Sequence, residues 1–164
     1  MAEMEASVGQ PTGRRLTGAE YFDELSLGDW FRTSGRTVTE ADVVGFAALT
    51  GDRNPAHVDA VYAAQSMFGE RVAHGMLSLS YALGMVPNTT IAALRRLKNV
   101  VWKAPVRFGD TIRVEGHVTG LRAYSDEVGL LNGRWKVVNQ DGGVVMKMEI
   151  DALIRRLPSN GDVN

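Results

Sequence analysis

Cysteine is absent from the 164-residue chain, which excludes disulfides, thiolate nucleophiles and cysteine-ligated zinc or iron–sulfur centres. Any chemistry must use oxygen and nitrogen groups. A charge excess is missing too. The 18 Lys and Arg against 19 Asp and Glu leave a formal charge of -1, so nothing marks a footprint for nucleic acid or an anionic membrane. Long apolar runs are also lacking. The most apolar stretch, Gly75 to Val86, falls short of the roughly 20 residues that a bilayer-spanning helix needs. Met1 to Arg15 contains no continuous apolar segment of the secretory-signal kind. The expectation is a cytoplasmic protein with no membrane or nucleic-acid partner. Histidine is scarce, and the spacing of His57, His74 and His117 matches no zinc motif. No metal is expected, and His74 and His117 read as ordinary core or loop histidines.

What is present suits one compact domain, with 45% apolar and 23% charged residues. No internal repeat suggests a solenoid or tandem domain. Aperiodic, Gly- and Pro-containing sequence predicts loose tails over residues 1–17 and 158–164, leaving 18–157 as the folded body. Leu27-Gly28-Asp29 reads as a turn into a strand over Trp30 to Val38. Thr39-Glu40-Ala41-Asp42 then has the form of a helix N-terminus, and Gly51 can supply the left-handed residue that ends the helix. Pro55 predicts a loop from Asp52 to His57, followed by a short helix capped by Asp59 and running through Gln65. The run from Gly75 to Val86 is apolar or small on nearly every face, so it predicts a helix wrapped by other structure and stopped by Pro87 and Asn88. Beyond it, Ile112, Val114 and Val118 alternate with polar residues, as do Val144, Met146, Met148, Ile150, Ala152 and Ile154. These are half-buried antiparallel strands, with a hairpin at Asp141-Gly142. The pattern predicts an α+β domain in which a curved antiparallel sheet wraps a central apolar helix. A bare sheet edge would invite pairing with a second copy, so a homodimer is expected.

The run Phe46-Ala-Ala-Leu-Thr-Gly-Asp52-Arg-Asn54-Pro55-Ala-His57-Val-Asp59 resembles the MaoC-like dehydratase family, as do Phe68-Gly69 and Ala73-His-Gly75-Met-Leu77. Every fixed position of that family's Gly-Asp-x-Asn-Pro-x-His motif is present from Gly51 to His57. Tyr21-Phe22, Leu27-Gly28-Asp29, Pro105-Val106 and Gly109-Asp110-Thr111 extend the likeness to roughly residues 20 to 156. The resemblance implies a single hot-dog fold, dimers or assemblies of dimers, and no metal or cofactor. It implies action on acyl-CoA or acyl-carrier-protein thioesters, as in the (R)-specific enoyl-CoA hydratases. Asp52 and His57 would be the catalytic pair, and the Gly75 N–H would meet the thioester oxygen. A serine found in some members two turns beyond that glycine is Leu83 here, with Ser80 nearby.

Hydration of a conjugated thioester needs a base on water, a proton donor to the α-carbon and stabilisation of an enolate-like oxygen. A loop bent at Pro55 can aim Asp52 and His57 at one water, with Asp52 the main base and His57 its partner. Burial and a cationic neighbour act oppositely on Asp52, so the resting position of the proton stays open. Asn54 would fix the loop or orient substrate through its amide. Gly75 opens the apolar helix, where unpaired N–H groups and the helix dipole favour negative charge. Arg53, Lys103 and Arg107 read as solvated surface charge. The competing readings are a hot-dog thioesterase and a non-catalytic thioester-binding subunit.

Overall fold

The computed structural model describes residues 12–87 and 89–158. Helix α1 (Glu40–Thr50) starts in a reciprocal capping box. The Thr39 hydroxyl accepts from the Asp42 N–H, and the Asp42 carboxylate accepts from the Thr39 N–H at 2.7 Å. The helix ends at Gly51, whose φ of 78° is the left-handed geometry glycine adopts without a Cβ clash.

Pro55 interrupts the path of α1 as expected, yet the segment after it is not all loop. Pro55–Val58 forms a helical turn, α2, because proline's fixed φ suits a first helical position. Asn54 caps it, its side-chain oxygen accepting from the Ala56 N–H at 3.0 Å. Asp59 then caps α3 (Ala60–Ala64) through the Val61 and Tyr62 N–H groups, and Gln65 closes it. Helix α4 (Gly75–Met85) buries Leu77, Ser78, Leu79 and Ala82.

The strands are β1 (Trp30–Arg32), β2 (Arg36–Thr37), β3 (Ile91–Trp102), β4 (Thr111–Ala123), β5 (Val128–Val138) and β6 (Val144–Arg155). They pair antiparallel in the order β1-β4-β5-β6-β3, and β2 also pairs with β4. The single strand expected over Trp30 to Val38 is thus two pieces. Thr33 causes the break: its own N–H donates to the Val114 carbonyl, while its hydroxyl accepts from the Val114 N–H at 3.0 Å. A side chain has replaced one backbone rung of the ladder. Strand β3 was not singled out from the sequence, because register shifts against β6 interrupt its two-residue alternation.

Strand β6 keeps its alternation. Met146, Met148, Ile150, Ala152 and Ile154 join Leu77, Leu79 and Ala82 of α4, Ile112 and Val114 of β4, and Trp135 and Val137 of β5 in one core. Each large aliphatic side chain so buried contributes about 1.5–3 kcal/mol. The expected architecture, one apolar helix against the inner face of an antiparallel sheet, is therefore present. Asp151 breaks the polar rule on β6: only 4% exposed, it accepts from Lys98 Nζ and from Asn132 Nδ2.

Residues 1–11 and 159–164 of the expected tails lie outside the described residues, as does Asn88. Within the described part of the N-terminal tail, Leu16 donates to the Trp30 carbonyl and Trp30 donates to the Arg14 carbonyl. That stretch is therefore tied to β1 rather than loose. Among the described residues no helix is long and apolar enough to cross a membrane.

Candidate active site

The turn at Gly51 and the restart at Pro55 fold residues 52–57 back so that Asp52 and His57 face one another. Their side-chain oxygen and nitrogen atoms, together with one from His74, lie within 4.8 Å of one another. Asp52 is exposed, His57 half-buried and His74 1% exposed. Asn54 does not join the cluster in this geometry. Its backbone N–H donates to Asp52 Oδ1 at 3.2 Å and its side chain is engaged in capping α2, so it shapes the loop.

Hydrogen bonds fix the histidine tautomers, because a carbonyl oxygen can only accept. His57 Nδ1 lies 2.7 Å from the Val72 carbonyl and therefore carries the hydrogen, leaving Nε2 as the ring's acceptor. His74 Nε2 lies 3.0 Å from the Asp52 carbonyl and likewise donates. The two rings stack with centroids 3.9 Å apart and planes inclined by 33°, and Phe46 packs against the far partner at 5.0 Å. His74, read from the sequence as an ordinary histidine, is thus inside the cluster. The signal available in the sequence was its position directly before Gly75. His117 is on β4 opposite Trp30 and Arg134, apart from the cluster. Burial, and then the Arg134 and Lys136 charges, hold its pKa below the usual histidine value.

Asp52, His57 and His74 are the group that could hold a metal among the described residues. One nitrogen of each histidine donates to a backbone carbonyl, which leaves His57 Nε2 and the exposed Asp52 carboxylate as groups able to accept and give protons.

Gly75 opens α4, and His74 at its N-cap supplies no side-chain cap, so first-turn N–H groups remain available. The Gly75 carbonyl accepts from the Trp102 indole N–H at 3.0 Å. A Cβ at Gly75 would stand 2.9 Å from that indole nitrogen, so this approach requires glycine. Arg107, read as a solvated charge, instead pairs with Glu70 and donates to the Phe68 carbonyl, pinning the loop before β4 to the segment before α4. A separate apolar hollow lined by Val86, Ile91, Leu131, Trp135 and Ile150 lies at the opposite end of α4.

A sheet packed on one apolar helix, with a paired aspartate and histidine beside that helix's uncapped N-terminus, defines a hot-dog-fold protein with a candidate acid–base site. A family model described as "MaoC like domain" matches residues 25–137, and the chain belongs to that family. It is 38% identical over 104 residues to an "(R)-specific enoyl-CoA hydratase" of Rhodospirillum rubrum, covering 62% of this chain and 71% of that protein. It is 44% identical over 98 residues to "Protein MaoC" of Klebsiella aerogenes, covering 58% of this chain but only 29% of that longer protein. Among solved structures, a "Monoamine oxidase regulatory protein" of Archaeoglobus has a TM-score of 0.78 at 35% identity, covering 88% of this chain and 98% of that one. The (R)-hydratase of A. caviae has a TM-score of 0.65 at 30% identity, covering 82% and 98%.

Proposed function

We infer that this protein is a hydro-lyase that reversibly hydrates a trans-2-enoyl thioester, enoyl-CoA or its carrier-protein counterpart, to the (R)-3-hydroxyacyl thioester. The observation that carries the reading is the Asp52–His57 pair set beside the N-terminus of α4, with their polar atoms within 4.8 Å. It is supported by relatives whose names specify that reaction, including a "3-hydroxybutyryl-CoA dehydratase" of Methylorubrum extorquens that is 37% identical over 105 residues.

In the hydration direction Asp52 takes a proton from water as the water oxygen bonds to C3 of the enoyl group. His57, with Nε2 open, positions that water and relays the proton toward C2. As the C2–C3 double bond is lost, charge gathers on the thioester oxygen and is met by the Gly75 N–H at the positive end of α4. The exchange is balanced: one O–H bond and the C2–C3 π bond break, and one C–O and one C–H bond form. Asn54 holds the Asp52 loop in shape. No step calls for a metal or cofactor.

We place the catalytic domain at residues 18–157, with Arg14 and Leu16 hydrogen-bonded to β1 at its margin, and propose the cytoplasm as its compartment. Strand β3 stands at the sheet edge with Leu94, Val101 and Trp102 at least 43% exposed. A second copy of the chain seated there would cover an edge that otherwise invites nonspecific pairing. A monomeric mass by light scattering at working concentration would remove the dimer from this reading.

The deciding experiment follows the enoyl-thioester absorbance of crotonyl-CoA with a thiol reagent present. Loss of absorbance without thiol release, and formation of the (R) product on chiral analysis, is the expected result. Thiol release would mean a thioesterase, and the (S) product would overturn the stereochemical assignment. A fully folded protein inert on enoyl thioesters of several chain lengths would favour the non-catalytic subunit.

A further inference from the structure

His74 is the most fully buried titratable side chain of the cluster, and the hydration chemistry above gives it no task. It is 1% exposed, and its Nδ1 has no hydrogen-bond partner among the described residues. Such a buried unpaired nitrogen costs stability. A simple apolar filler would avoid that cost, so the imidazole has to be judged by what its other atoms hold.

Three connections converge on this residue. Its Nε2–H donates to the carbonyl of Asp52 at 3.0 Å, which fixes the peptide directly following the proposed base. Its ring supports one face of His57 at 3.9 Å, while Val72, two residues earlier on the same segment, takes the His57 Nδ1–H at 2.7 Å. Its own peptide link supplies the Gly75 N–H, and its carbonyl accepts from the Ser78 N–H at 3.1 Å and from the Ser78 hydroxyl at 3.3 Å. Phe46 of α1 closes the side of the ring at 5.0 Å. The segment is itself anchored, since Val72 donates to the Ala56 carbonyl and Ala73 donates to the Val106 carbonyl.

We propose that His74 is the positioning residue of this site, a rigid Nε2–H donor that sets the Asp52 and His57 side chains in register with the oxyanion-binding N–H of Gly75. The acid–base pair comes from the α1–α2 turn and α2, whereas the oxyanion donor belongs to α4. Among the described residues His74 is where those parts meet through one side chain and its adjoining peptide. Its Nδ1 lacks a partner because the ring is oriented by Nε2 and by stacking, not by satisfying both nitrogens. Displacements of about 1 Å in such an arrangement can cost on the order of 100-fold in rate.

The proposal rests on the hydratase reading, so its test begins with a measurement that needs no activity. Two-dimensional 1H–15N spectra of the imidazoles in the full chain should show His74 as the Nε2–H tautomer and His57 as the Nδ1–H tautomer. In His74→Leu the His57 signals should broaden or split between tautomers. In His74→Gln, whose amide can still donate to the Asp52 carbonyl, they should stay closer to wild type. With crotonyl-CoA, His74→Leu should lower kcat about 10- to 100-fold with little change in KM, and His74→Gln should recover part of that loss. An Nδ1–H tautomer for His74 in the wild type would overturn the proposal even if every variant misfolds. So would a folded His74→Leu protein with unaltered His57 signals, or equal kcat losses in the Leu and Gln variants. Wild type inert on all enoyl thioesters, yet with the expected tautomers and variant shifts, would sink the hydratase reading and leave the positioning geometry standing.

Discussion

The indole N–H of Trp102, at the end of β3, donates to the carbonyl of Gly75 at 3.0 Å. This bond ties an edge strand to the first residue of α4. It also explains why the helix begins with glycine, since a Cβ there would meet the indole nitrogen at 2.9 Å.

That crowding allows the role of the Gly75 N–H to be isolated. Gly75→Ala and Gly75→Pro introduce the same Cβ against Trp102, but only proline removes the N–H, and proline is tolerated in a first helical turn. Gly75→Pro should have a kcat lower than that of Gly75→Ala by roughly 100- to 1,000-fold. Equal kcat values in two folded variants would place the oxyanion donor elsewhere.

Asp52→Asn keeps the size of the side chain and its acceptor for the Asn54 N–H, but removes the proposed base. Hydration should fall by roughly 100- to 10,000-fold with the thermal midpoint nearly unchanged. His57→Ala should lose activity on a similar scale and also lose the bond to the Val72 carbonyl, so its melting temperature should drop as well. Steady-state kinetics beside thermal melts separate the two behaviours.

Acid should destabilise the packing of α1 on α4 through Asp42. Its carboxyl is held at about 2, below the ordinary 3.8, first by the Tyr81 hydroxyl, then by the Thr39 N–H, the Thr39 hydroxyl and Arg36. A carboxyl with a depressed folded-state pKa adds stability above its unfolded value and loses that stability as pH falls through the folded value. The contribution is therefore whole above about pH 4 and fades toward pH 2. Tyr81→Phe should move the acid-unfolding midpoint, followed by circular dichroism, to higher pH. An unmoved midpoint would show that Asp42 does not couple to folding in this range.

On the sheet's outer face, Asp151→Ala removes the acceptor shared by Lys98 and Asn132. Lys98 can turn to solvent, but the Asn132 amide is left short of a partner. Stability in urea should fall by about 1–3 kcal/mol with kcat unchanged, because this face is turned away from α4. A drop in kcat at full stability would contradict that separation.

Much of this protein is legible in its sequence because the rules involved are local. Thr39 and Asp42 form their capping box, Gly51 its left-handed turn and Asp59 its cap with side chains only a few residues away. The alternation of β6 is visible because one face meets the core continuously. Asp52, Asn54 and His57 could be picked out because the motif is contiguous. The loop reading of 52–57 failed in part because proline, which cannot continue a helix, is well suited to begin one. The break between β1 and β2, the existence of β3 and the place of His74 depended on partners far along the chain. Val114 splits the first strand, β6 defines β3 through irregular register, and the Asp52 carbonyl meets a histidine 22 residues away. Nearest-neighbour chemistry decided the caps, the turns, the apolar helix and the spacing of Asp52 and His57. Only the folding of distant segments onto one another decided which histidine stands behind that pair, since nothing local distinguishes a stacked, buried imidazole from an ordinary one.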